Sequence, residues 1–382
     1  MATCSVPTPP CTSGPASAAA GADAAMLAAT LRLMHDPATY SPTATRIEAI
    51  ETHMSWVFLV DGLAYKLKKP VTYPFLDFGT IDARKADCRA ELRLNRRLAP
   101  GVYLGASRIL RAPDGGLTLV DDRGDGHGDG GDGDSTDSGD RRGAAVTVDW
   151  LVRMRRLPAE RTLDALIRDG RAGAALIAPL GRLLADFYRH LPPADLDPDA
   201  YLARLSVQHR ASEVALRDAT GLPAGVVPGR TLDGIARALD RARTALSARA
   251  RAGRIVEGHG DLRPEHVFML AVPVVIDCLE FSRDLRLVDW ADEVAFLGLE
   301  CERLGAPAIG PALRGTVSAA LADPVDDPLF DLYGALRACL RARLALAHLG
   351  EPQPRTPQRW PRLAADYLQL AQARVARLVP PS

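Results

Sequence analysis

The chain has 382 residues, 47 basic and 47 acidic, a formal net charge of zero, and 47% hydrophobic residues. Such a length and apolar content allow two substantial globular domains, and the charge balance gives no general argument for a nucleic-acid or membrane-surface partner. Six scattered cysteines (Cys4, Cys11, Cys88, Cys278, Cys301, Cys339) lack any C-x-x-C pair, no N-terminal stretch has the basic and apolar regions of a secretory signal, and no apolar run reaches the roughly 20 residues of a membrane helix; the expectation is a cytoplasmic protein with reduced thiols.

Residues 1–21 are rich in Pro, Ala, Ser and Gly and read as a disordered tail. A helix is expected over 23–34 from the spacing of Met26, Leu27, Leu31 and Met34, with Pro37 ending it. Strand character follows near 46–51, at Ser55–Val60 and at Leu63–Lys68, the last two joined by Asp61-Gly62, a strong hairpin signal. Only four of the 47 basic residues are lysines, and three of these are Lys66, Lys68 and Lys69. A chain that otherwise uses arginine keeps a compact ammonium on this strand, where period-two alternation places Lys66 and Lys68 on one face.

Thr80–Leu98 reads as a charged amphipathic helix, and strands follow at about 102–111 and 116–121. Residues 121–143 form a Gly/Asp-rich low-complexity stretch. A calcium-loop reading of it lacks both the twelfth-position glutamate and any repetition, so a flexible loop extending a hairpin is the simpler expectation. A strand from Val146 to Leu157 ends at Pro158, after which helical spacing dominates: 162–169, 174–190, 201–220, 231–251, 289–304, 329–349 and 359–378. The implied domains are 22–155 and 156–378, with a short tail at 379–382.

Within the helical half lies IVEGHGDLRPEHVFMLAVPVVIDCLEF, residues 255–281. Val267–Leu270 and Val274–Ile276 flank Pro273 and predict a tight hairpin. Pairing them sets His266 roughly opposite Asp277, with opposed Cβ atoms about 5 Å apart, beside Asp261. A carboxylate that orients an attacking hydroxyl, followed by ligands for Mg²⁺ on nucleotide phosphates, is the order of parts that phosphoryl transfer needs. Asp261 is the candidate base, and His266 and Asp277 are the candidate metal ligands.

This stretch resembles the aminoglycoside phosphotransferase-like branch of the protein-kinase-like fold, whose catalytic loop reads H-G-D-L-x-x-x-N and whose metal-binding Asp follows the next hairpin. The resemblance implies an α+β, protein-kinase-like two-lobe fold: a small lobe with an antiparallel sheet and one main helix, and a large, mostly helical lobe. It implies ATP and Mg²⁺ as cofactors, another divalent ion being possible, and a hydroxyl of a small molecule as phosphoryl acceptor.

By the same resemblance His259 joins Asp261 among the catalytic residues, and Lys66, with Lys68 as its rival, contacts the phosphates. Glu91 pairs with the lysine, the alternative being a surface acid near Arg84 or Arg97. Ser55 and its turn cover the phosphates, backbone near Val152 and Met154 grips the adenine edge, and Glu280 is a further metal or supporting residue. Asp289, Asp292 and Glu293 either buttress the catalytic loop or only suit a helix N-terminus. The sequence departs from the pattern at His266, an imidazole where the pattern has Asn. Mg²⁺ prefers oxygen ligands, so three readings stay open: a second metal held differently, a histidine that braces the loop, or a catalytically weak nucleotide-binding or scaffold protein.

Overall fold

A computed structural model describes residues 16–73, 76–122, 145–350 and 356–378. Cys4, Cys11, most of the 121–143 stretch and the 379–382 tail lie outside the described residues. The chain divides into two compact units, one ending at Leu92 and resumed over Val102–Arg156, the other made of Arg93–Gly101 and Leu157 onward.

The first unit is built on a six-stranded antiparallel sheet. Its strands are β1 (Ile47–Glu51), β2 (Ser55–Val60), β3 (Leu63–Lys68), β6 (Tyr103–Arg111), β7 (Leu117–Asp121) and β8 (Val146–Arg155), in the order β1-β2-β3-β8-β6-β7; β4 (Thr72–Tyr73) and β5 (Leu76–Asp77) form a separate short pair. The Asp61-Gly62 turn closes β2 on β3 with Val60 opposite Leu63, and Asp61 adopts φ 50°, the left-handed conformation that a primed hairpin turn requires. Alternation on β3 sends Tyr65 and Leu67 into an apolar cluster with Phe58, Ile109, Leu151 and Met34. Met34 is the last residue of α1 (Ala16–Met34). That helix begins seven residues before the expected start at 23, inside the stretch read as a disordered tail, because ASAAAG is rich in alanine, the residue with the highest helix propensity.

The helix α2 (Ile81–Asn95) brings Asp87 and Glu91 to the lysine side of β3. Its Arg84 reaches Asp149 of β8 at 2.8 Å and the carbonyl of Phe78 at 2.8 Å. The expected boundary kept all of 22–155 together, whereas residues 93–101 belong to the second unit: Leu98 is part of that unit's apolar core.

The second unit contains α3 (Leu163–Arg168), α4 (Ala174–His190), α5 (Pro198–Leu216), α6 (Gly229–Arg251), α7 (Arg283–Arg286), α8 (Trp290–Arg303), α9 (Ile309–Leu321), α10 (Asp327–Ala347) and α11 (Arg359–Leu378). Two short antiparallel pairs interrupt the helices: β9 (Ile255–Glu257) with β12 (Leu287–Asp289), and β10 (Val267–Phe268) with β11 (Val274–Val275). The helix α9 was not expected, since its glycines and proline obscure the apolar period. Gly310 is there for packing: a Cβ on Gly298 of α8 would lie 2.7 Å from the Gly310 Cα, so the two helices meet backbone to backbone. A unit built on an antiparallel sheet with the helices α1 and α2, and a mostly helical unit carrying the H-G-D loop, make up the α+β composition expected from the sequence. No described helix is long and apolar enough to cross a membrane.

One residue of the helical core carries a cost. His209 on α5 is buried, and neither ring nitrogen finds a hydrogen-bond partner among the described residues. Burial lowers its pKa, opposed by Glu213 and Asp233 and assisted by Arg217 and Arg210. A folded pKa below the unfolded value near ~6.5 means that the unfolded chain takes up the proton first, so stability present above that pH is lost as pH falls through it. His209→Leu should therefore stabilise the protein by about 1–3 kcal/mol, and by more at pH 5 than at pH 8; urea unfolding at the two pH values checks both, and an equal effect at each would remove the titration.

Candidate functional site

The H-G-D loop leaves β9 through Gly258 and is held from beneath by Glu293, in the first turn of α8. Its carboxylate accepts from the His259 amide at 3.1 Å, from the Gly260 amide, and from the Tyr188 hydroxyl at 2.8 Å. Burial raises the Glu293 carboxyl, opposed by those three donors. A Cβ at Gly258 would stand 2.4 Å from Glu293 Oε2, and Gly260 has φ 86°, so both glycines are required for the loop to sit on this carboxylate.

Of the three acids considered, Glu293 is the one that touches the loop. Asp289 caps α8, accepting from the Ala291 amide at 2.9 Å, and binds Arg249 and the Tyr333 hydroxyl. Asp292 pairs with Arg337 through two bonds of 2.8 and 2.7 Å.

His259 is buried. Its Nε2 donates to the Ile276 carbonyl at 3.0 Å and its Nδ1 accepts from the Asp261 amide at 3.3 Å. Burial, then the neighbouring His266, lower its pKa to about 4. The ring is a neutral brace from the loop to the hairpin, which sets the position of Asp261.

The hairpin register places Val267 opposite Val275. Its continuation joins the Ile276 amide to the His266 carbonyl at 2.9 Å, so Ile276 faces His266 and Asp277 stands one residue beyond the expected partner. The shift still leaves His266 between the two aspartates: Nδ1 is 3.7 Å from Asp261 Oδ2 and Nε2 is 3.6 Å from Asp277 Oδ2. Asp277 has φ 60°, a left-handed conformation that costs a non-glycine residue about 1 kcal/mol or more and that clusters at functional sites. Its side chain is nearly half exposed.

Arg263 was not among the expected site residues. Its Nε lies 3.1 Å from Asp261 Oδ2, its Nη1 3.1 Å from Glu265 Oε1, and its Nη2 3.2 Å from His266 Nε2. Burial would raise the Asp261 carboxyl, yet Arg263 and then His266 hold it below the usual carboxylate range. Glu280 follows on the same loop, partly exposed, its carbonyl accepting from Arg286 at 3.1 Å.

The turn carrying Asp277 is anchored by residues 93–101 of its own unit. Asn95 Oδ1 accepts from the Cys278 amide at 2.8 Å, and Arg97 donates to the carbonyls of Glu257 and Gly258 at 2.7 and 2.8 Å and to Cys278 Sγ at 3.4 Å. Asn95 and Arg97 were legible only as helix-surface neighbours of Glu91, and no local signal marks them. Burial pushes the Cys278 thiol up to about 12, so it is inert.

In the first unit Glu91 is fully buried and holds both lysines, Lys66 at 2.9 Å and Lys68 at 2.5 Å, with Asp87 at 2.8 Å from Lys68. The surface reading of Glu91 is thereby corrected: Arg84 and Arg97 are engaged elsewhere. Lys68 is 1% exposed and Lys66 14%. Ser55 is buried at the start of β2, opposite Lys68, and exchanges bonds with Thr52 across the β1–β2 turn, its amide donating to Thr52 Oγ1 at 3.0 Å.

Val152 and Met154 require a correction. Both lie within β8, with β3 on one side (Val152 opposite Lys66, Met154 opposite Ala64) and β6 on the other (opposite Ala106 and Tyr103). A strand paired on both sides spends its backbone groups on its neighbours, and the Arg155 and Arg156 amides are bonded to the Val102 and Gly62 carbonyls. The backbone of Val152 and Met154 is therefore committed to the sheet.

No family model matches the sequence. The chain is 27% identical over 336 residues to uncharacterised proteins of Mycobacterium bovis and Mycobacterium tuberculosis; the match covers 86% of this chain and 61% of the length of those relatives. Solved structures similar to it include the GDP complex of an aminoglycoside 2'-phosphotransferase, with 16% identity, 92% of this chain and 99% of that chain covered, and a TM-score of 0.47. A choline/ethanolamine kinase family protein from Mesorhizobium loti has 14% identity, 91% and 94% covered, and a TM-score of 0.49. An ethanolamine kinase of Plasmodium vivax has 8% identity, 90% and 84% covered, and a TM-score of 0.47.

The two lysines should separate on mutation. Lys68→Ala removes a buried cation that two carboxylates share and should cost about 3–5 kcal/mol, whereas Lys66→Ala, at the more exposed ammonium, should cost less than half as much. Denaturant midpoints decide it, and equal losses would contradict the different burial of the two ammonium groups.

Proposed function

We propose that the protein is an ATP-dependent phosphotransferase acting on a hydroxyl of a small molecule. The observation that carries this reading is the convergence of Asp261 and Asp277 on His266, whose ring nitrogens lie within 3.7 Å of an oxygen of each carboxylate. Two separate acids thus converge on a clamped glycine-containing loop, one on the loop itself and one on a strained turn.

The donor chemistry fits a hard divalent ion at Asp277, whose carboxylate is half exposed and supplies oxygen, with Glu280 on the same loop. When bound, Mg²⁺ would neutralise phosphate charge and hold the transferred group in line. The chain's own residues do the rest. Asp261, ionised at neutral pH, orients the acceptor hydroxyl and takes its proton. In a loose phosphoryl transition state the orientation matters more than the strength of the base. Lys66, held extended by Glu91, contacts the phosphates, and Lys68 keeps Glu91 in place.

A small acceptor suits the length of the loop: only residues 278–282 separate Asp277 from α7, which leaves little room for an ordered peptide platform. A second reading is a nucleotide-binding protein with little or no transfer. The ion pair between Arg263 and Asp261 favours it, because a base already paired is a poorer proton acceptor.

Asp261→Asn should leave nucleotide affinity within about twofold while lowering turnover by roughly 10²–10⁴-fold, the range of a general base; unchanged turnover would take Asp261 out of that role. Asp277→Ala should weaken nucleotide binding in the presence of Mg²⁺ far more than in EDTA, measured by calorimetry, and equal weakening would make Asp277 structural. Wild-type protein that binds nucleotide but transfers phosphate to no hydroxyl acceptor supports the second reading.

A further inference from the structure

His266 stands where an oxygen ligand for a second metal ion would be expected, and both of its nitrogens are already spent. Nδ1 is 2.9 Å from the Asp261 carbonyl oxygen, which can only accept, so Nδ1 carries the proton. Nε2 is 3.2 Å from Arg263 Nη2, which can only donate, so the one lone pair that could coordinate a metal is taken by a guanidinium. That guanidinium is itself aimed from three sides, by Asp261 and Glu265 at 3.1 Å each and by His266. It is 19% exposed, and the imidazole it meets is buried.

We propose that Arg263 and His266 together take the place of a second metal ion, so that the site holds a single divalent cation, at Asp277. This deepens the phosphotransferase reading and rests on it. Kinase sites of the two-ion kind divide their ions between the hairpin Asp and the catalytic-loop Asn. Here the exchange of that amide for an imidazole and the presence of Arg263 three residues earlier are one device. The imidazole removes an oxygen ligand and orients a fixed, permanently charged cation. A divalent ion entering beside it would meet like-charge repulsion and a ligand with no lone pair to give. A soft-metal preference through His266 is not expected, because its nitrogen serves the arginine and not the ion.

The test counts ions on the full chain, with Mn²⁺ as the paramagnetic probe and a non-hydrolysable ATP analogue. Wild-type protein should bind one Mn²⁺ per nucleotide at saturation, with no imidazole nitrogen coupling in the electron spin-echo spectrum. Arg263→Ala combined with His266→Asn should raise the count to two. Should that double variant fail to fold, Arg263→Met alone should uncover Nε2 and show the nitrogen coupling. Two Mn²⁺ in the wild type, imidazole coupling in the wild type, or a folded double variant still at one ion would overturn the inference while leaving phosphotransfer standing. Wild-type protein that binds neither nucleotide nor Mn²⁺ would overturn both.

Discussion

The His259 and Gly260 amides both end on one buried carboxylate, Glu293, and the geometry of the candidate site depends on that clamp. A loop in which glycine must adopt φ 86° has no regular ladder to satisfy its backbone. A buried carboxylate that accepts from two successive amides supplies the missing partners and fixes the direction in which Asp261 leaves the chain. The same acid is restrained by Tyr188, so the clamp is tied to α4 as well as α8. Removing this acceptor would leave three buried donors without it, the two amides and the Tyr188 hydroxyl, a larger loss than the mean value of a hydrogen bond suggests.

Arginine serves buried carboxylates in both units, Arg84 to Asp149 in the sheet unit included, and the lysines are kept for one carboxylate cluster. In the helical unit arginine serves carboxylates through its planar fork: Arg249 to Asp289 and Asp323, Arg337 to Asp292, Arg286 to Glu257. In the sheet unit Lys66 and Lys68 converge on the two oxygens of Glu91. Two compact ammonium groups on alternate residues of one strand can share a single carboxylate from a helix above, and one of them remains partly accessible. Two guanidinium groups would need more room at the same spacing.

In the single-ion proposal, Arg263 makes the departure at His266 a compensated change. An imidazole cannot replace an amide oxygen toward a hard cation, but it can accept from a guanidinium, and a guanidinium brings charge without needing to be bound from solution. The histidine depends on the arginine, since without it the buried Nε2 would lose this donor, whereas the guanidinium would keep Asp261 and Glu265.

Much of this was legible in the chain itself. The Asp61-Gly62 hairpin, the lysine strand, the helix with Glu91 and the H-G-D loop with its following hairpin are set by short-range rules: turn chemistry, period-two alternation and helical spacing act between neighbours and leave their mark in the order of residues. Other features depend on contacts across many residues. The one-residue difference in register at His266, the burial of Val152 and Met154 between two strands, the grip of Asn95 and Arg97 on the Asp277 turn, and the choice of Glu293 over Asp289 and Asp292 join residues from about 10 to more than 180 positions apart. At that separation packing and the need to pair every buried polar group decide the outcome. A helix-surface asparagine and a buried anchor are written with the same letter, and only the tertiary structure tells them apart.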